Sequence, residues 1–393
     1  MLVGLILKKG MKSLQLMLNE LMSVLETGTV SASAFSQARS HLCHTAFIEL
    51  NQKAIVEVMY KNEDYEQFKN FRLLAIDGSK ILLPNSKDTI TAFGQIAYFH
   101  KNVQGKRTYA MASVLYDVLN KVAVDSVLAK AHAYEVDLAV NHHVPCTQPN
   151  DLIIADRGYA SYRFLATLLA YKRAFVIRCS SGSFAVVKNL FTGEGKADRI
   201  ETLQVPSNQR KAIAELKLPP TIQVRFVRLR LSTGEYEVLV TSLLDNAEFR
   251  IEDLAEIYRL RWEVENFYGI VKTRLTLENF TGKSAESVRQ DFYATIYLAG
   301  LESILTADSN EVLVSKETRY PQQVNKAVSF NAIKNQVMDL LCSQESSAVL
   351  VQRLEQLFLT NPVSCRKKRI VPRQECSAGA SLNHWKRKRK ICY

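Results

Sequence analysis

The sequence lacks a hydrophobic run long enough to cross a bilayer. A spanning helix needs about 20 consecutive apolar residues, and no stretch approaches that length. The opening run, MLVGLILKKG, carries its charges after the apolar stretch rather than before it, which is unlike a signal peptide. We therefore expect no membrane attachment and a cytoplasmic location.

The sequence also has little that could build a disulfide framework or a structural zinc site. Its seven cysteines are odd in number and irregularly spaced, and none forms a CxxC pair. This usage indicates reduced thiols in a cytosolic compartment. Two runs, HLCH (41–44) and HHVPC (142–146), contain residue types that bind zinc. Neither has a partner pair at the spacing of structural zinc sites, so we do not expect zinc.

Acidic residues are scarce at one end of the chain. The formal net charge is +12, and residues 365–393 hold ten Lys/Arg and one Glu, so most of the excess lies there. A basic tail most often binds an acidic polymer, usually nucleic acid. The cluster KRKRK (386–390) suits nonspecific contact with phosphates, which weakens as salt rises. A solubilising terminus is the alternative.

The pattern of apolar residues divides the chain into segments. Residues 1–65 show helical spacing and form an N-terminal helical region that could bind DNA. From residue 66, runs such as LLAI and LIIA are apolar at every position, which is typical of strands covered on both faces. Residues 66–180 give three strands, a helix, a strand, a helix and a strand. This order predicts a mixed sheet and an α/β fold class.

The second half of the chain is predicted to interrupt and then complete this core. Residues 181–245 are rich in strands and form an insertion, in which a parity change within TIQVRFVRLR (221–230) suggests a β-bulge. Residues 246–310 supply a second part of the core, including a helix with an acidic residue. Residues 311–393 form a C-terminal helical region and the basic tail.

Two aspartates stand at the ends of apolar strands. Asp77 follows LLAI and Asp156 follows LIIA. Asp-Gly and Asp-Arg-Gly are good turn sequences, so each aspartate alone could simply begin a turn. Carboxylates that converge raise one another's pKa unless a cation lies between them. Mg²⁺ prefers oxygen ligands, and two such ions about 3.5–4 Å apart can clamp the attacking and leaving oxygens of a phosphoryl displacement.

The run YRLRWEVENFYGIVK (258–272) predicts one amphipathic helix with a narrow polar face. At about 100° per residue, Tyr258, Arg261, Glu265 and Lys272 fall within an arc of about 60°, opposite the apolar residues. By spacing alone, an ordinary Arg261–Glu265 pair is the simpler interpretation. Such a pair stabilises a helix by only about 0.2–0.5 kcal/mol.

The same four residues match the signature of a known family. Tyr, two residues, Arg, three residues, Glu, six residues and Lys is the YREK signature of DDE transposases of bacterial insertion sequences (insertion-sequence type 4), and it fits here without a spacing error. LLAIDGSKILLP (73–84) and IIADRGYASYRFL (153–165) resemble the family's text around its two aspartates. The sequence therefore resembles a DDE transposase over residues 35–373 or so.

This resemblance implies a ribonuclease-H-like mixed-sheet core, interrupted by the β-rich insertion. The catalytic residues, which would also ligate two Mg²⁺ ions (Mn²⁺ can substitute), would be Asp77, Asp156 and Glu265. The residues that contact phosphates near the transposon end would be Tyr258, Arg261 and Lys272. For this role an Arg offers a bidentate fork and a Lys offers a point charge.

The implied reaction is cut-and-paste transposition through a hairpin on the element end. The protein would bind terminal inverted repeats, cleave at the element ends and join them to target DNA. Its partners would be the two kinds of DNA and a second copy of the chain in a synaptic homodimer, associated with the bacterial nucleoid. Hairpin chemistry calls for an aromatic side chain that stacks on an extruded base, and the candidates are Trp262, Phe184 and Phe191.

Other interpretations stay open at this point. Arg225, Arg228 and Arg230 in the insertion could line a DNA groove, although a solvated strand face is the simpler explanation. The chain could instead be a metal-dependent DNA nuclease or resolvase on the same fold, or an inactive derivative that only binds DNA. The complete signature and the insertion weigh against a resolvase, and the three acidic residues are all intact.

Overall fold

A computed structural model describes residues 1–10, 12–24, 28–61, 64–100, 103–342 and 346–365. The basic cluster at 386–390 lies outside these ranges. Within them, no helix combines the length and the apolar character needed to cross a membrane. The chain forms two compact units, which are Met1–Lys61, Lys80–Ala110 and Gly269–Tyr393 for the first, and Asn62–Ser79 and Met111–Tyr268 for the second.

The α-helices stand mainly at the two ends of the described chain, and shorter ones lie between the strands in its middle. Their bounds are α1 Leu2–Lys8, α2 Leu14–Val24, α3 Ala32–Ser40, α4 Thr45–Asn51, α5 Glu57–Tyr60, α6 Lys87–Phe93, α7 Glu135–Leu138, α8 Tyr162–Ala170, α9 Lys188–Phe191, α10 Arg210–Glu215, α11 Ile251–Arg259, α12 Trp262–Thr273, α13 Ala285–Ser315, α14 Lys326–Cys342 and α15 Ser347–Thr360. A π-helical turn, Ala139–His143, continues α7.

The strands fall in the middle of the chain, apart from one small pair near its end. Their bounds are β1 Arg72–Leu82, β2 Gln95–His100, β3 Val103–Asp117, β4 Val122–Lys130, β5 Asp151–Ala155, β6 Ala174–Arg178, β7 Asp198–Gln204, β8 Thr221–Arg230, β9 Tyr236–Thr241, β10 Gln322–Val324 and β11 Pro362–Ser364.

The first unit is helical and is organised around α13. Helices α1, α3, α4, α6, α14 and α15 all contact α13, whose first half is buried on most sides. The buried Arg39 on α3 donates hydrogen bonds to Gln290 (2.7 Å) and Asp291 (2.9 Å) on α13. Because its charge is paired and enclosed, Arg39 fastens the N-terminal helices to α13.

The second unit is built on a mixed sheet. Strand order runs β3-β1-β5-β6-β9-β8-β7, with β4 paired to β3. Strand β5 is parallel to both β1 and β6, whereas β9, β8 and β7 continue the sheet in antiparallel pairs. Three neighbouring strands, β4, β3 and β1, are followed in the sheet by the strands β5 and β6, which α8 connects. This is a ribonuclease-H-like arrangement. The predicted α/β fold class is therefore confirmed.

The central strands are buried on both faces, as their unbroken apolar runs predicted. Residues 73–76 of β1 and 152–155 of β5 are fully buried. At the start of both strands, Arg72 pairs with Asp151 through two hydrogen bonds of 2.7 and 2.8 Å. The same two residues are register partners, and the register continues to Ile76 opposite Ala155. This buried ion pair thus helps to fix the register of the two strands, and the register places Asp77 next to Asp156.

The turn that the sequence allowed at Asp77-Gly78 does not form, because β1 continues through these residues to Leu82. Gly78 instead leaves space beside β1 for another side chain. A Cβ at this position would lie 2.8 Å from Cδ of Glu135, which is closer than real side chains approach. The glycine makes room for a carboxylate rather than for a bend.

The predicted β-bulge in residues 221–230 is also wrong. The pairing of β8 with β7 and with β9 is continuous in register. The apolar parity changes because the middle of β8 is buried on both faces: Val224 and Phe226 fill one side, and Arg225 and Val227 the other. The buried Arg225 therefore interrupts the alternation of apolar and polar residues in the sequence, although the pairing of the strand stays regular.

The run 258–272 is not one continuous helix, contrary to the prediction. Helix α11 ends at Arg259 and α12 begins at Trp262, with a tight turn between them. In that turn the N–H groups of Leu260 and Arg261 donate to carbonyls three residues back, at 3.1 Å each. The 3.6-residue pattern continues across the turn, and therefore it did not reveal the break. Tyr258 lies on α11, and Glu265 on α12.

Candidate active site

Asp77, in the middle of β1, and Asp156, directly after the end of β5, follow paired residues of two neighbouring strands. Each is the next residue after a register pair, Ile76 and Ala155, of the parallel strands β1 and β5. Neighbouring strands lie about 4.8 Å apart, so the two backbones are close at this point. Both aspartates are partly exposed, although the residues before them are fully buried. The backbone thus holds these two residues close together on adjacent strands in the interior of the sheet.

Glu265 is brought to the same site by a buried arginine. The Nη2 atom of Arg261 donates to Oε1 of Glu265 at 2.8 Å, and the Arg261 side chain is only 5% exposed against 39% for Glu265. Arg261 also acts electrostatically on Asp77, where its positive charge opposes a rise in pKa. The guanidinium therefore lies among carboxylates from distant parts of the sequence.

Two tyrosines hold the backbone and side chains around the acidic cluster. The hydroxyl of Tyr258 donates to Oδ1 of Asp156 at 3.4 Å. The hydroxyl of Tyr268 lies 3.1 Å from the carbonyl oxygen of Asp77 and 3.0 Å from that of Ala112. Burial raises the pKa of both tyrosines, so both remain protonated donors.

The electrostatics of the site are most visible at Asp77. The pKa of Asp77 is raised to about 7, mainly by burial; Arg261 and the Gly78 N–H oppose the rise, and the neighbouring carboxylates of Glu135 and Glu265 contribute to it. Converging carboxylates of this kind are stabilised in their charged form by a bound cation.

The donor atoms available suit a hard divalent cation. Asp77, Asp156 and Glu265 offer only carboxylate oxygens, the ligands that Mg²⁺ prefers. In the described part of the chain, the donor atoms of Cys43, His44 and Glu286 form a group in which all lie within 4.8 Å of one another. The oxygens of Asp77, Asp156 and Glu265 form no such group, so they lie farther apart. A two-ion centre spans a wider space than one ion, because its ions are about 3.5–4 Å apart. The donor set therefore fits the predicted metal centre in chemistry.

Sequence reasoning missed two further acidic residues. Glu135, the first residue of α7, packs over Gly78, and its Oε2 accepts a hydrogen bond from Tyr159 at 3.4 Å. Glu237 on β9 pairs with Arg178 on β6 at 3.0 Å. Burial raises the pKa of Glu237, while Arg178 and Arg261 oppose the rise and Asp156 adds to it. Neither glutamate has a local sequence signal, because each reaches the site only through the tertiary fold.

The aromatic candidates differ in exposure. Trp262 is 46% exposed at the start of α12, and the Arg261 guanidinium lies 5.1 Å from its ring centroid. Phe184 is half-buried and packs edge-on against Phe226, with centroids 5.8 Å apart. Phe191 is also half-buried at the end of α9. Of the three, Trp262 presents the most open ring beside the acidic cluster.

The basic candidates also separate by environment. Arg225 is 1% exposed, forms a fork with Asp198 at 2.7 Å and donates to the carbonyl of Phe249, so it serves packing and not an exposed groove. Arg228 is half-buried and donates to the carbonyl of Glu194 at 2.8 Å. Arg230 is exposed at the end of β8.

Lys272 lies in the last turn of α12, within the first unit. Its Nζ donates to the carbonyl of Lys80 at 3.1 Å.

The two runs considered as zinc ligands have ordinary contacts. In the first, the ring Nδ1 of His44 lies 2.9 and 3.0 Å from the two oxygens of Glu286, and Oε1 of Glu286 also accepts from the His44 backbone N–H. In the second, buried His143 contacts Asp125 (2.7 Å) and Ser113 (2.8 Å) through its two ring nitrogens. Hydrogen bonds therefore account for both histidines.

Comparison with known proteins identifies the family. The family model described as "Transposase DDE domain" matches residues 69–299, which include all the acidic residues above. The chain therefore belongs to this family of DDE transposases. No curated protein matches the chain.

Among solved structures, the chain is similar to the cryo-EM structure of the piggyBac transposase synaptic complex with hairpin DNA. The TM-score is 0.41 at 9% sequence identity, over 80% of this chain and 62% of that chain. The present chain thus spans less than two thirds of that transposase.

Proposed function

We propose that this protein is a transposase of the YREK-signature group, which binds the terminal inverted repeats of an insertion sequence, cleaves at the element ends and joins them to target DNA. One observation carries the proposal. Asp77 and Asp156 follow paired residues on neighbouring parallel strands. Arg261 forms an ion pair with Glu265, and the charges of both residues act on Asp77. Three carboxylates with an arginine among them suit metal-dependent phosphoryl transfer better than a merely structural ion pair.

In this proposal, Asp77, Asp156 and Glu265 hold two Mg²⁺ ions, for which Mn²⁺ can substitute. When bound, such ions polarise a phosphoryl oxygen and lower the pKa of a bound water. The protein contributes the fixed positions of the oxygens through the β1–β5 register and the Tyr268 contact with the Asp77 backbone. Because burial raises the pKa of Asp77 to about 7, loading of the centre releases a proton when the solution is near or below neutral pH.

Arg261, Tyr258 and Lys272 contact the phosphates of the transposon end. The Nε of Arg261 is buried without a hydrogen-bond partner among the described residues, although its Nη2 is held by Glu265. Buried donors are nearly always satisfied, so an unpaired Nε indicates a partner that binds later. A phosphate, which pairs with a guanidinium through two parallel hydrogen bonds, is the partner we assign.

The reaction starts with attack of water on the phosphodiester at the element end. The P–O3′ bond breaks, which leaves a 3′-hydroxyl on the element strand and a 5′-phosphate on the flanking strand. The 3′-hydroxyl then attacks the phosphodiester at the element end of the opposite strand, which closes a hairpin and releases the flanking DNA with a 3′-hydroxyl as the leaving group. A second water hydrolyses the hairpin phosphodiester and frees the 3′-hydroxyl of the element again. In the last step the regenerated 3′-hydroxyl attacks target DNA. The exposed ring of Trp262 stacks on a base extruded from the hairpin.

Two copies of the chain hold the two element ends in a synaptic homodimer, on the bacterial nucleoid. Arg230, with the positive charge of the neighbouring Arg228, adds nonspecific backbone contacts from the inserted segment. Contacts of this type weaken steeply as the salt concentration rises and carry no sequence information. Arg225 is left out of this surface, because Asp198 and backbone carbonyls enclose it.

A cleavage assay with DNA that carries the inverted repeats flanking the gene tests the function. Wild-type protein with Mg²⁺ is expected to cut at the repeat ends, to give hairpin-ended element DNA and to join it to a target plasmid. Asp77→Asn, Asp156→Asn and Glu265→Gln should abolish cleavage and retain DNA binding in a mobility-shift assay. Asp253→Asn, on the neighbouring helix α11, is a carboxylate control that should cut normally.

The same assay separates the alternatives. Cleavage of four-way junctions without cleavage at repeat ends would make the protein a resolvase. Repeat-end binding without cleavage, with Mg²⁺ or Mn²⁺, would make it a binding derivative. Normal cleavage by Asp77→Asn would remove that residue from the metal centre.

A further inference from the structure

Glu135 lies between the two backbone segments that carry the catalytic aspartates. On one side it packs over Gly78, where a Cβ would lie 2.8 Å from its Cδ and 3.1 Å from its Oε1. On the other side its Oε2 accepts from the hydroxyl of Tyr159, which is three residues after Asp156 and only 1% exposed. One carboxylate thus touches the residue after Asp77 and the turn after Asp156.

The placement of Glu135 is constrained by the sequence around it. Gly78 is the residue type that leaves space for the Glu135 carboxylate against β1. Tyr159, buried against Phe164 with ring centroids 5.5 Å apart, has a fixed hydroxyl position. A glutamate that only began a helix would need neither feature. Asp137, two residues later on α7, illustrates the ordinary case, since it is 46% exposed and pairs with Arg163 at the surface.

The charge balance of the centre favours a fourth carboxylate. Asp77, Asp156 and Glu265 carry three negative charges, and Arg261 offsets one of them through Glu265. Glu237 adds little net charge, because Arg178 pairs with it. Two divalent cations bring four positive charges. Glu135, which has no cation partner among the residues that the structure describes and increases the negative potential at Asp77, lowers the remaining imbalance.

We propose that Glu135 is a fourth carboxylate of the metal centre, which binds the divalent cation at Asp77 together with that residue. This inference rests on the proposed function, since it assumes that Asp77 is a metal ligand. It assigns Gly78 and Tyr159 as positioning residues: Gly78 admits the Glu135 carboxylate, and Tyr159 orients it through one hydrogen bond.

The test is direct metal binding to the full chain in the absence of DNA. Mn²⁺ is titrated into the protein, and free Mn²⁺ is followed by electron paramagnetic resonance. Glu135→Gln should weaken Mn²⁺ binding about tenfold or more, the size of effect that partners around metal sites produce. Glu135→Asp should recover part of the affinity. Asp137→Asn, on the same short helix, should bind Mn²⁺ like the wild type and so excludes a general charge effect.

Gly78→Ala provides a second route to the same result. The added methyl group occupies the space of the Glu135 carboxylate, so Mn²⁺ affinity should fall as in Glu135→Gln, and the double variant should be no weaker than either single one. Circular dichroism identifies a variant that fails to fold. If Gly78→Ala does not fold, the Glu135→Gln titration alone decides.

The outcomes distinguish this inference from the proposed function. If Mn²⁺ binds the wild type and Asp77→Asn abolishes binding, whereas Glu135→Gln leaves the affinity unchanged, Glu135 is not part of the centre and the proposed function stands. If wild-type Mn²⁺ binding does not respond to Asp77→Asn, the metal centre itself is wrong, and both proposals fail.

Discussion

Arg72 and Asp151 form a buried, two-pronged ion pair five residues before Asp77 and Asp156, respectively. The two hydrogen bonds measure 2.7 and 2.8 Å, and both side chains are almost completely enclosed. Because Arg72 and Asp151 are also register partners of β1 and β5, the pair fixes the alignment that brings the two aspartates out together. A slip of one residue would turn one aspartate to the other face of the sheet.

Asp151→Asn should therefore be strongly destabilising. Removing one partner of a buried ion pair leaves an uncompensated charge, and the expected loss in the free energy of unfolding is about 3–5 kcal/mol. Urea denaturation measures it. Asp137→Asn breaks a surface pair with Arg163 and should cost less than about 1 kcal/mol. Equal losses in the two variants would contradict a special role for the Arg72–Asp151 pair.

Asp77→Asn should stabilise the protein in alkaline buffer without metal. The pKa of Asp77 is raised from 3.8 to about 7, mainly by burial, so ionisation in the folded state destabilises it between these two pH values. The full effect, at most about 4 kcal/mol, is present above pH 7 and vanishes below about pH 4. Thermal unfolding in EDTA at pH 4 and pH 8 measures the difference from the wild type.

Asp253→Asn is the control of opposite sign for this pH effect. A hydrogen bond from Lys69 lowers the pKa of Asp253, so its contribution to stability is present above the unfolded pKa and is lost as the pH falls. Asp253→Asn should thus be less stable than the wild type at pH 8. If Asp77→Asn were also less stable than the wild type at pH 8, the account in which the buried charge of Asp77 destabilises the folded protein would be contradicted.

Arg261→Lys should impair DNA cleavage although it keeps the charge. Lysine cannot form the planar fork, and it cannot make both the hydrogen bond with Glu265 and the contact with the Trp262 ring that the guanidinium makes. Loss of one charge-assisted hydrogen bond, about 1.5–3 kcal/mol, predicts a fall in the cleavage rate of about 10- to 100-fold. Arg259→Lys, at an exposed position on α11, should cut at the wild-type rate. Equal rates for both variants would remove Arg261 from phosphate binding.

Trp262→Ala should affect hairpin formation and leave stability nearly unchanged. The ring is 46% exposed, so its removal creates no core cavity. Loss of stacking on a base should cost about 1–3 kcal/mol, visible as a weaker quench of 2-aminopurine placed at the element end. Phe184→Ala and Phe191→Ala serve as comparisons. A full quench in Trp262→Ala, with loss of the quench in one of these two variants, would reassign the stacking residue.

The sequence predicted the parts of the site that depend on local pattern. Asp77 and Asp156 were recognisable because each ends a run that is apolar at every position, and such runs form strands buried on both faces. The fold class followed from the order of these runs. Glu265 had no comparable signal from periodicity, which favoured an ordinary Arg261–Glu265 pair, and only the family signature identified it.

The parts that sequence reasoning missed depend on contacts between distant segments. Glu135 looks like any acidic residue in a first helical turn, and its role becomes visible only where it meets Gly78. Arg225 looked like a basic residue on a solvated strand, whereas Asp198 on the neighbouring strand pairs with it and buries it. The turn after Arg259 left no trace in the spacing of apolar residues, because a few hydrogen bonds to carbonyls three residues back hardly change the helical period.

Anomalous diffraction from crystals grown with Mn²⁺ and DNA ends tests the central claim most directly. The account predicts manganese peaks in contact with the carboxylates of Asp77 and Asp156, with Glu265 as a further ligand. Peaks confined to other residues, in crystals whose protein cleaves the same DNA, would contradict it.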